Sequence, residues 1–276
     1  MTLRIALAQD NFLVGDIPHN TGKVRQLTAA AKAQGCDMIV FPELCLTGYP
    51  PEDLLLRPSL MLRVGQALTD LADISDIVMV LGYPQMMDGQ LYNMAGAWLN
   101  GVCLAEYAKQ KLPNYQVFDE KRYFAAGKQA CVFDYKNVRL GLSICEDVWH
   151  DQPAAAVRAL GAELMLNLNA SPFHLNKQQQ RIATVGRRAH ENGLAIAYVN
   201  LVGGQDELVF DGGSLAVDAS GEVAAEATLF DSRLMVLDYE PGLKRFKPQL
   251  RPEPVTLEAA RSEERRVGKE CLRLCR

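Results

Sequence analysis

The sequence predicts an α/β protein built as a four-layer α-β-β-α sandwich, in which two mixed sheets pack face to face beneath outer helices. Three observations support this prediction. Short apolar runs, typical of strands buried on both faces, alternate with amphipathic helical stretches. Hairpin signals interrupt that alternation, so both parallel and antiparallel connections are expected. The order βαβαβ followed by hairpins occurs twice, which indicates two similar halves.

The first half begins with a strand at 3–9, where apolar residues alternate. A helix is predicted over 16–34 because its apolar residues share one face, and Gly35 is a suitable end. Asn100-Gly101 is the strongest short signal for a hairpin. The remaining elements are strand, helix, strand and hairpin, at 38–41, 58–72, 77–81, and 90–99 with 102–109.

The second half is centred on 138–147, where a strand with one buried face stops at Cys145 and two carboxylates follow. Asp151 is predicted to cap a helix that ends at Gly161. The elements that follow are predicted as strand, helix, strand and a final meander, at 164–168, 176–192, 194–201, 209–217, 222–227 and 234–239.

Composition favours an ordinary globular protein, because 49% of the 276 residues are hydrophobic and the net charge is −4. This balance suggests neither a nucleic-acid partner nor a membrane partner. The N-terminus lacks the pattern of a signal peptide, and no apolar run is long enough to span a bilayer. Seven cysteines without framework spacing favour reduced thiols, so a cytoplasmic location is expected. Their spacing with the histidines predicts no zinc site.

The domain organisation is predicted in three parts. Residues 1–240 form the globular domain, and the proline-rich, charged segment 241–260 is predicted to be a linker or arm. Residues 261–276 carry many charges without sustained periodicity. Part of that tail resembles the translation of a sequencing-adapter oligonucleotide, so we interpret it as a non-native addition to a truncated gene.

Three predicted strands end in reactive side chains, namely Glu43, Lys109 and Cys145. Ligands usually bind at the carboxyl ends of strands in α/β sheets. Splitting a carboxamide needs a base, a cation or donor for the oxyanion, and a nucleophile, which these three side chains could supply. The ammonium is also expected to favour the reactive thiolate. Taken singly, each has an ordinary alternative: a surface carboxylate or helix cap, a solvated charge, and a small buried hydrophobe.

Together the three stretches resemble the nitrilase, or carbon–nitrogen hydrolase, superfamily, over roughly residues 2–239. The resemblance implies a Glu-Lys-Cys triad of Glu43, Lys109 and Cys145 in a four-layer α-β-β-α fold. Lys109 stands three residues before the leucine of the family's Lys-x-x-Leu-Pro motif. Lys111 is predicted to point to the same strand face and is the alternative, since side chains alternate with a period of two.

The family often has a second glutamate between the lysine and the cysteine, and Glu120 matches that place in Phe-Asp-Glu-Lys-Arg-Tyr-Phe. There it is expected to orient Lys109 and the substrate amide. The alternative is a solvated loop charge.

A narrower resemblance is to the glutamine amidase domains of the glutamine-dependent NAD synthetase family. It is carried by Leu-Pro-Asn-Tyr-Gln-Val-Phe from 112, Ile-Cys-Glu-Asp-Val-Trp from 144, Asn-Ala-Ser-Pro-Phe from 169 and Thr-Gly-Tyr-Pro-Pro from 47. The resemblance implies that glutamine is the substrate. Its α-amino and α-carboxyl groups would be held by Tyr115, Glu146 and Ser171, with Lys177 as a cation where the family often has arginine.

The resemblance further implies an ammonia-supplying half whose synthetase domain is absent from this chain. Neither a Ser-Gly-Gly-x-Asp-Ser loop nor a Walker motif occurs in the sequence. ATP and Mg are therefore expected only for the absent domain, and the amidase itself is expected to need no metal or organic cofactor. A homo-oligomer is also expected.

Three other functions remain open at this point. The chain could be a stand-alone amidase of the same superfamily that acts on another small amide. It could be a non-catalytic binding module that keeps the fold. A papain-like Cys–His hydrolase is the third, and its histidine would have to be His150 or His174.

Overall fold

The computed structural model describes residues 2–249. Within that range the helices are α1 (Ile17–Ala33), α2 (Pro58–Asp70), α3 (Asp151–Ala159) and α4 (Lys177–Asn192). The strands are β1 (Leu3–Gln9), β2 (Met38–Val40), β3 (Val78–Met87), β4 (Gln90–Leu99), β5 (Val102–Ala108), β6 (Cys131–Tyr135), β7 (Val138–Ile144), β8 (Leu164–Asn169), β9 (Ala195–Asn200), β10 (Val202–Gln205), β11 (Leu208–Asp211), β12 (Leu215–Val217), β13 (Val223–Glu226), β14 (Arg233–Glu240) and β15 (Arg245–Phe246).

Two large mixed sheets hold most of these strands. The seven-stranded sheet has the order β15-β14-β1-β2-β3-β4-β5, in which β1, β2 and β3 are parallel. The six-stranded sheet has the order β13-β12-β9-β8-β7-β6, in which β7, β8 and β9 are parallel. Strands β10 and β11 form a separate hairpin. The carboxyl ends of the two parallel groups are the places where the sequence predicted reactive side chains.

The two sheets pack face to face through a shared apolar core, to which Leu7 and Val40 contribute from one sheet and Leu142 and Leu166 from the other. The opposite face of the seven-stranded sheet packs against α1 and α2. Helices α3 and α4 cover the outer face of the six-stranded sheet. The predicted α-β-β-α sandwich is confirmed.

Several local predictions need correction. Asp151 is the first residue of α3, and His150 occupies the capping position without a side-chain hydrogen bond. The sequence reading also missed β6. The strand predicted over 209–217 is divided into β11 and β12, because Gly212 and Gly213 adopt φ values of +69° and +68°, which break an extended strand.

The segment predicted as a linker begins as part of the domain. The Phe246 ring is buried, and it packs against Tyr239 with 5.2 Å between ring centroids. The main-chain N–H of Phe246 donates to Asp218 Oδ1 at 2.6 Å. Because an apolar ring and a satisfied main chain fix this segment, residues 241–249 differ from the predicted linker. The remainder of that linker and the predicted tail, 250–276, lie outside the described residues.

No helix in residues 2–249 is long and apolar enough to cross a membrane.

Candidate active site

The ends of β2, β5 and β7 bring together the predicted triad residues. Glu43 follows β2, Lys109 follows β5, and Cys145 follows β7. Lys109 Nζ lies 2.6 Å from Glu43 Oε1, and both side chains are fully buried. A buried ion pair of this kind is stable only when further hydrogen bonds satisfy its remaining polar atoms.

The two oxygens of Glu43 have different partners. Oε1 accepts from Lys109 Nζ and from Asn93 Nδ2, the latter at 2.7 Å. Oε2 accepts from the main-chain N–H of Ala170 at 3.1 Å, its sole hydrogen bond from the described residues. Oε2 is therefore the oxygen with capacity to receive a proton.

Glu120 belongs to the same buried cluster. Its Oε1 accepts from Lys109 Nζ at 2.7 Å and from the Tyr49 hydroxyl at 2.9 Å. Its Oε2 is buried and has no hydrogen-bond partner in residues 2–249. Burial raises the pKa of Glu120 to about 7, with Lys109 opposing and the charge of Glu43 adding to the shift. Glu120 is thus no solvated loop charge.

Lys111, the alternative lysine, points elsewhere. Its Nζ donates to Gln152 Oε1 at 2.9 Å near the surface. The reason is that β5 ends at Ala108, so the alternation of a strand does not extend to Lys111. Of the two lysines, the structure brings only Lys109 to Glu43.

Cys145 has an unusual backbone. It follows β7 directly, begins the 3₁₀ turn Cys145–Trp149, and has a φ of +43°. A residue with a Cβ atom adopts that region at a cost, and such strain is concentrated at functional sites.

Burial raises the pKa of the Cys145 thiol well above its ordinary value. The charge of Glu43 raises it further, whereas Lys109 opposes the shift. The Lys109 ammonium thus favours the thiolate, as expected, but burial outweighs it. The resting group is a thiol, and it must lose its proton to a base before or during reaction.

Two of the predicted substrate-binding residues touch each other beside Cys145. The Tyr115 hydroxyl donates to Glu146 Oε2 at 2.9 Å. Lys177 Nζ stands 4.1 Å from the centroid of the Trp149 ring, a cation–π contact. Burial lowers the pKa of Lys177, while the carboxylate of Glu146 acts in the opposite direction. These side chains therefore combine opposite charges around the thiol.

Arg181 on α4 holds Ser171 in place through hydrogen bonds. The Nε of Arg181 donates to Ser171 Oγ at 3.3 Å, and its Nη2 donates to Ser171 O at 2.8 Å. Arg181 is fully buried and its Nη2 lies 2.7 Å from Asp211 Oδ1. Asn200 also holds this loop, because its Oδ1 accepts from the Ser171 main-chain N–H at 2.9 Å.

The histidines of a papain-like site contact other groups. His150 Nε2 lies 3.3 Å from Glu146 Oε1, and His174 Nδ1 lies 3.0 Å from the Leu175 carbonyl. Within residues 2–249 no group of three or more histidine, cysteine, aspartate or glutamate side chains has the arrangement of a metal site.

The sequence profile of the carbon–nitrogen hydrolase family matches residues 4–242. The chain belongs to the carbon–nitrogen hydrolase family. A relative from Xanthomonas campestris pv. campestris (strain 8004), named glutamine-dependent NAD(+) synthetase, is 45% identical over 251 residues, which are 90% of this chain and 46% of that protein. The predicted resemblance to that group of proteins is confirmed.

Solved structures similar to this hydrolase include a synthetase and an amidase. Glutamine-dependent NAD+ synthetase from Acinetobacter baumannii, in complex with ADP, has a TM-score of 0.91 and 40% identity, covering 94% of this chain and 49% of that chain. An amidase variant from Nesterenkonia sp. AN1, with the acetamide moiety of fluoroacetamide added covalently at the active-site cysteine, has a TM-score of 0.80 and 29% identity. That match covers 87% of this chain and 91% of the amidase. The hydrolase thus spans about half the length of the synthetase relatives.

Sequence reasoning missed several residues that shape the site of this hydrolase. Asn93 and Tyr49 hold the two glutamates, and Arg181 holds Ser171. Tyr49 lies in the Thr-Gly-Tyr-Pro-Pro stretch that carried the resemblance, so a signal existed for it. Arg181 had a weaker signal, since it lies on the face of α4 that also carries the apolar Val185.

Proposed function

We propose that this carbon–nitrogen hydrolase is a thiol amidohydrolase that converts the side-chain amide of glutamine to glutamate and ammonia. The observation that carries the proposal is the buried Glu43–Lys109 pair at 2.6 Å, next to a buried cysteine at a strand end. A base and a cation are thereby both provided around one nucleophile.

The first step is attack by sulfur on the amide carbon. Because burial raises the pKa of the Cys145 thiol, proton removal must accompany this attack. Glu43 Oε2 takes the proton, since Oε1 is already bound by Lys109 and Asn93. The C–S bond forms as the amide carbonyl becomes a tetrahedral oxyanion.

The Lys109 ammonium and a backbone N–H stabilise that oxyanion. Lys109 is held by Glu43 and Glu120, so its charge is preorganised and little reorganisation is needed during reaction. Glu120 Oε2, which has no partner among the described residues, is suited to accept an N–H of the substrate amide.

The C–N bond then breaks, and ammonia leaves with the proton that Glu43 returns. Water attacks the resulting thioester, and Glu43 takes one of the water's protons. The C–S bond breaks, glutamate is released and the Cys145 sulfur regains its proton. The cycle needs no metal or organic cofactor.

The charges of the substrate fit the remaining side chains. Glu146 and Tyr115 would hold the α-ammonium group of glutamine. Ser171 and the Lys177 ammonium would hold the α-carboxylate. Lys177 begins α4, whose N-terminal dipole also favours an anion.

The relatives' length supports a larger assembly. The chain covers less than half of a protein named for NAD(+) synthesis, so we assign it the ammonia-supplying half. A synthetase domain that uses ATP and Mg would then consume the ammonia, in a homo-oligomer. The five cysteines of residues 2–249 are free thiols, which supports a cytoplasmic location.

A stand-alone amidase that acts on another small amide is the second candidate, because the Nesterenkonia amidase matches 87% of this chain over 91% of its own length. The deciding experiment compares glutamate release from glutamine with ammonia release from asparagine, acetamide and propionamide. We expect kcat/KM for glutamine to exceed the others by at least about 100-fold. Acetamide and propionamide lack the α-ammonium and α-carboxylate groups, and asparagine, which is one methylene shorter, cannot bind through both α-groups and also place its amide at Cys145.

Cys145→Ala serves as the blank, and each substrate is measured at the same protein concentration. Preference for a simple amide that lacks both α-groups would contradict the glutamine assignment and favour the stand-alone amidase. No release from any of the four amides would contradict both.

A further inference from the structure

Asp147 lies two residues after Cys145 and is completely buried. Its Oδ1 accepts from the main-chain N–H groups of Gln110 at 3.2 Å and Lys111 at 2.9 Å. Its Oδ2 accepts from the Tyr107 hydroxyl at 2.7 Å and from the main-chain N–H of Ile144 at 3.0 Å. Each oxygen therefore accepts two hydrogen bonds from protein groups, and the carboxylate is fully hydrogen-bonded.

These four donors come from two separate places in the fold. Tyr107, Gln110 and Lys111 flank Lys109 at the end of β5, in the seven-stranded sheet. Ile144 is the residue immediately before Cys145, at the end of β7 in the six-stranded sheet. A single carboxylate thus joins the strand end that carries the cation to the strand end that carries the thiol.

Burying a carboxylate costs free energy, so one that is retained in this position is expected to have a specific structural role. Burial raises the pKa of Asp147, whereas the hydrogen bonds from Ile144, Tyr107 and Lys111 lower it. Much of the interface between the two sheets is formed by apolar side chains. Asp147 also lies in the turn in which Cys145 has a φ of +43°, and such a conformation persists only when its surroundings determine it.

We propose that Asp147 is a positioning residue, which fixes the Lys109 ammonium relative to the Cys145 thiol by holding the ends of β5 and β7 together. It touches no reacting atom. Its contribution is the placement of the cation and the nucleophile within the narrow range of geometry that attack on a carbonyl requires. The kinetic part of this proposal rests on the proposed glutamine hydrolysis.

Asp147→Asn is the main test, because the amide keeps the shape of the carboxylate but replaces one acceptor oxygen by an NH₂ donor. If the NH₂ takes the place of Oδ1, it faces the main-chain N–H groups of Gln110 and Lys111; if it takes the place of Oδ2, it faces that of Ile144. None of these N–H groups can accept a hydrogen bond. The contact between the ends of β5 and β7 must therefore open. We expect kcat for glutamine to fall about 100-fold, the scale of a 1 Å misplacement, with KM within about threefold of wild type.

A second measurement does not depend on glutamine. Iodoacetamide is applied to the native protein, and labelling of Cys145 and of the exposed Cys103 is followed by peptide mass spectrometry. Because Lys109 opposes the rise in the thiol pKa, its displacement should slow alkylation of Cys145 in Asp147→Asn about tenfold. Cys103 in the same sample is the internal reference and should be unchanged.

The matched control is Asp218→Asn. Asp218 is a partly buried carboxylate whose Oδ1 accepts from the Phe246 main-chain N–H, at the opposite edge of the seven-stranded sheet from β5. We expect it to lower thermal stability while leaving kcat, KM and the Cys145-to-Cys103 labelling ratio unchanged. A folded Asp147→Asn protein with wild-type kcat and labelling ratio would overturn the proposal, as would a rise in KM alone.

Tyr107→Phe decides the matter if Asp147→Asn does not fold. It removes one of the four donors and keeps the buried ring, so we expect kcat to fall by about fivefold at unchanged KM. A wild-type kcat and labelling ratio in this variant would overturn the proposal. If the wild-type chain does not hydrolyse glutamine, the proposed function fails, but the labelling ratio still tests Asp147.

Discussion

The two sheets contribute to the site in different ways. The seven-stranded sheet supplies Glu43 and Lys109, which are bound to each other and to Asn93 of the same sheet. The six-stranded sheet supplies Cys145, whose backbone is strained. Among the hydrogen bonds within residues 2–249, none involves its sulfur. The charged side of the site is therefore self-supporting, whereas the nucleophilic side depends on how the sheets are joined.

Few polar contacts join the two sides. The main-chain N–H of Ala170, after β8, donates to Glu43 Oε2, and Asp147 connects β7 to the end of β5. The surrounding interface is largely apolar. Because hydrophobic contacts are not directional, they keep the two sheets close together but do not fix their relative orientation. From this contrast we expect that losing a member of the proposed triad removes chemistry, while losing a contact between the sheets changes the geometry of the site.

The largest effect is expected from the nucleophile. Cys145→Ala should abolish glutamate release, since no other group can form the thioester. Alanine at Cys36, Cys45, Cys103 or Cys131 should leave most activity, because none of these lies at the end of a strand beside Lys109. Steady-state glutamate assays of all five variants check this. Equal loss at one of the four controls would move the nucleophile elsewhere.

The next largest effect concerns the cation, and it tests whether the charged side is self-supporting. Lys109→Met leaves Glu43 and Glu120 buried without their shared ammonium. We expect kcat to fall at least about 1000-fold and stability to drop by about 3–5 kcal/mol, as measured by glutamate release and urea unfolding.

Lys111→Met is the matched control, because the Lys111 ammonium donates to Gln152 near the surface and not to Glu43. It should retain nearly wild-type kcat and stability. The reverse result would transfer the role of the cation to Lys111.

A smaller effect on activity is expected from Glu120. The direction in which activity changes with pH follows from the raised pKa of this residue. As the pH falls through about 7, Glu120 takes up a proton. Of the two glutamates, Glu43 alone then carries the charge that pairs with the Lys109 ammonium. This stronger pairing stabilises the charged form of Glu43 and makes it a weaker base. Wild-type kcat/KM should therefore decline below about pH 7.

Glu120→Gln removes that titration. Its kcat/KM should be about tenfold lower at pH 8 and nearly flat between about pH 6 and 8. Full pH–rate profiles of both proteins provide the measurement. An unchanged acid limb in the variant would show that another group controls it.

The smallest effect is expected in the substrate pocket. Tyr115→Phe removes the hydroxyl that donates to Glu146, one hydrogen bond to a charged group. KM for glutamine should rise about fivefold with kcat little changed. Tyr92→Phe is the control, because the hydroxyl of Tyr92 contacts Gln90 on the surface. A fall in kcat without a change in KM would place Tyr115 in the chemical step.

The layers and the strand ends could be predicted because they depend on local patterns. Apolar alternation marks β1 and β7, and reactive side chains follow strands at Glu43 and Cys145. The contacts that complete the site could not be predicted in this way. Asn93, Asp147 and Arg181 gain their partners from distant parts of the chain, and no periodicity encodes those pairings.

The raised pKa of Cys145 was hidden for a related reason. Proximity to an ammonium can be inferred from order along the chain, but the desolvation that outweighs it depends on the assembled core. The break between β11 and β12 had a sequence signal that the prediction overlooked, because Asp-Gly-Gly-Ser at 211–214 is typical of a turn, and Gly212 and Gly213 adopt positive φ there.

The pairing of β1 with β14 has a consequence for synthesis on the ribosome. Leu3 faces Tyr239 and Gln9 faces Arg233, so β1 is bonded along one edge to β14, the last but one of the strands in residues 2–249. Until residue 240 is made, that edge of β1 has exposed main-chain donors and acceptors, which can pair with another chain. The nascent domain therefore carries an unprotected edge until residue 240 is made, and contacts of such long sequence separation form slowly. Ribosome-bound chains stopped before residue 233 should accordingly be more prone to aggregate than chains stopped after residue 249.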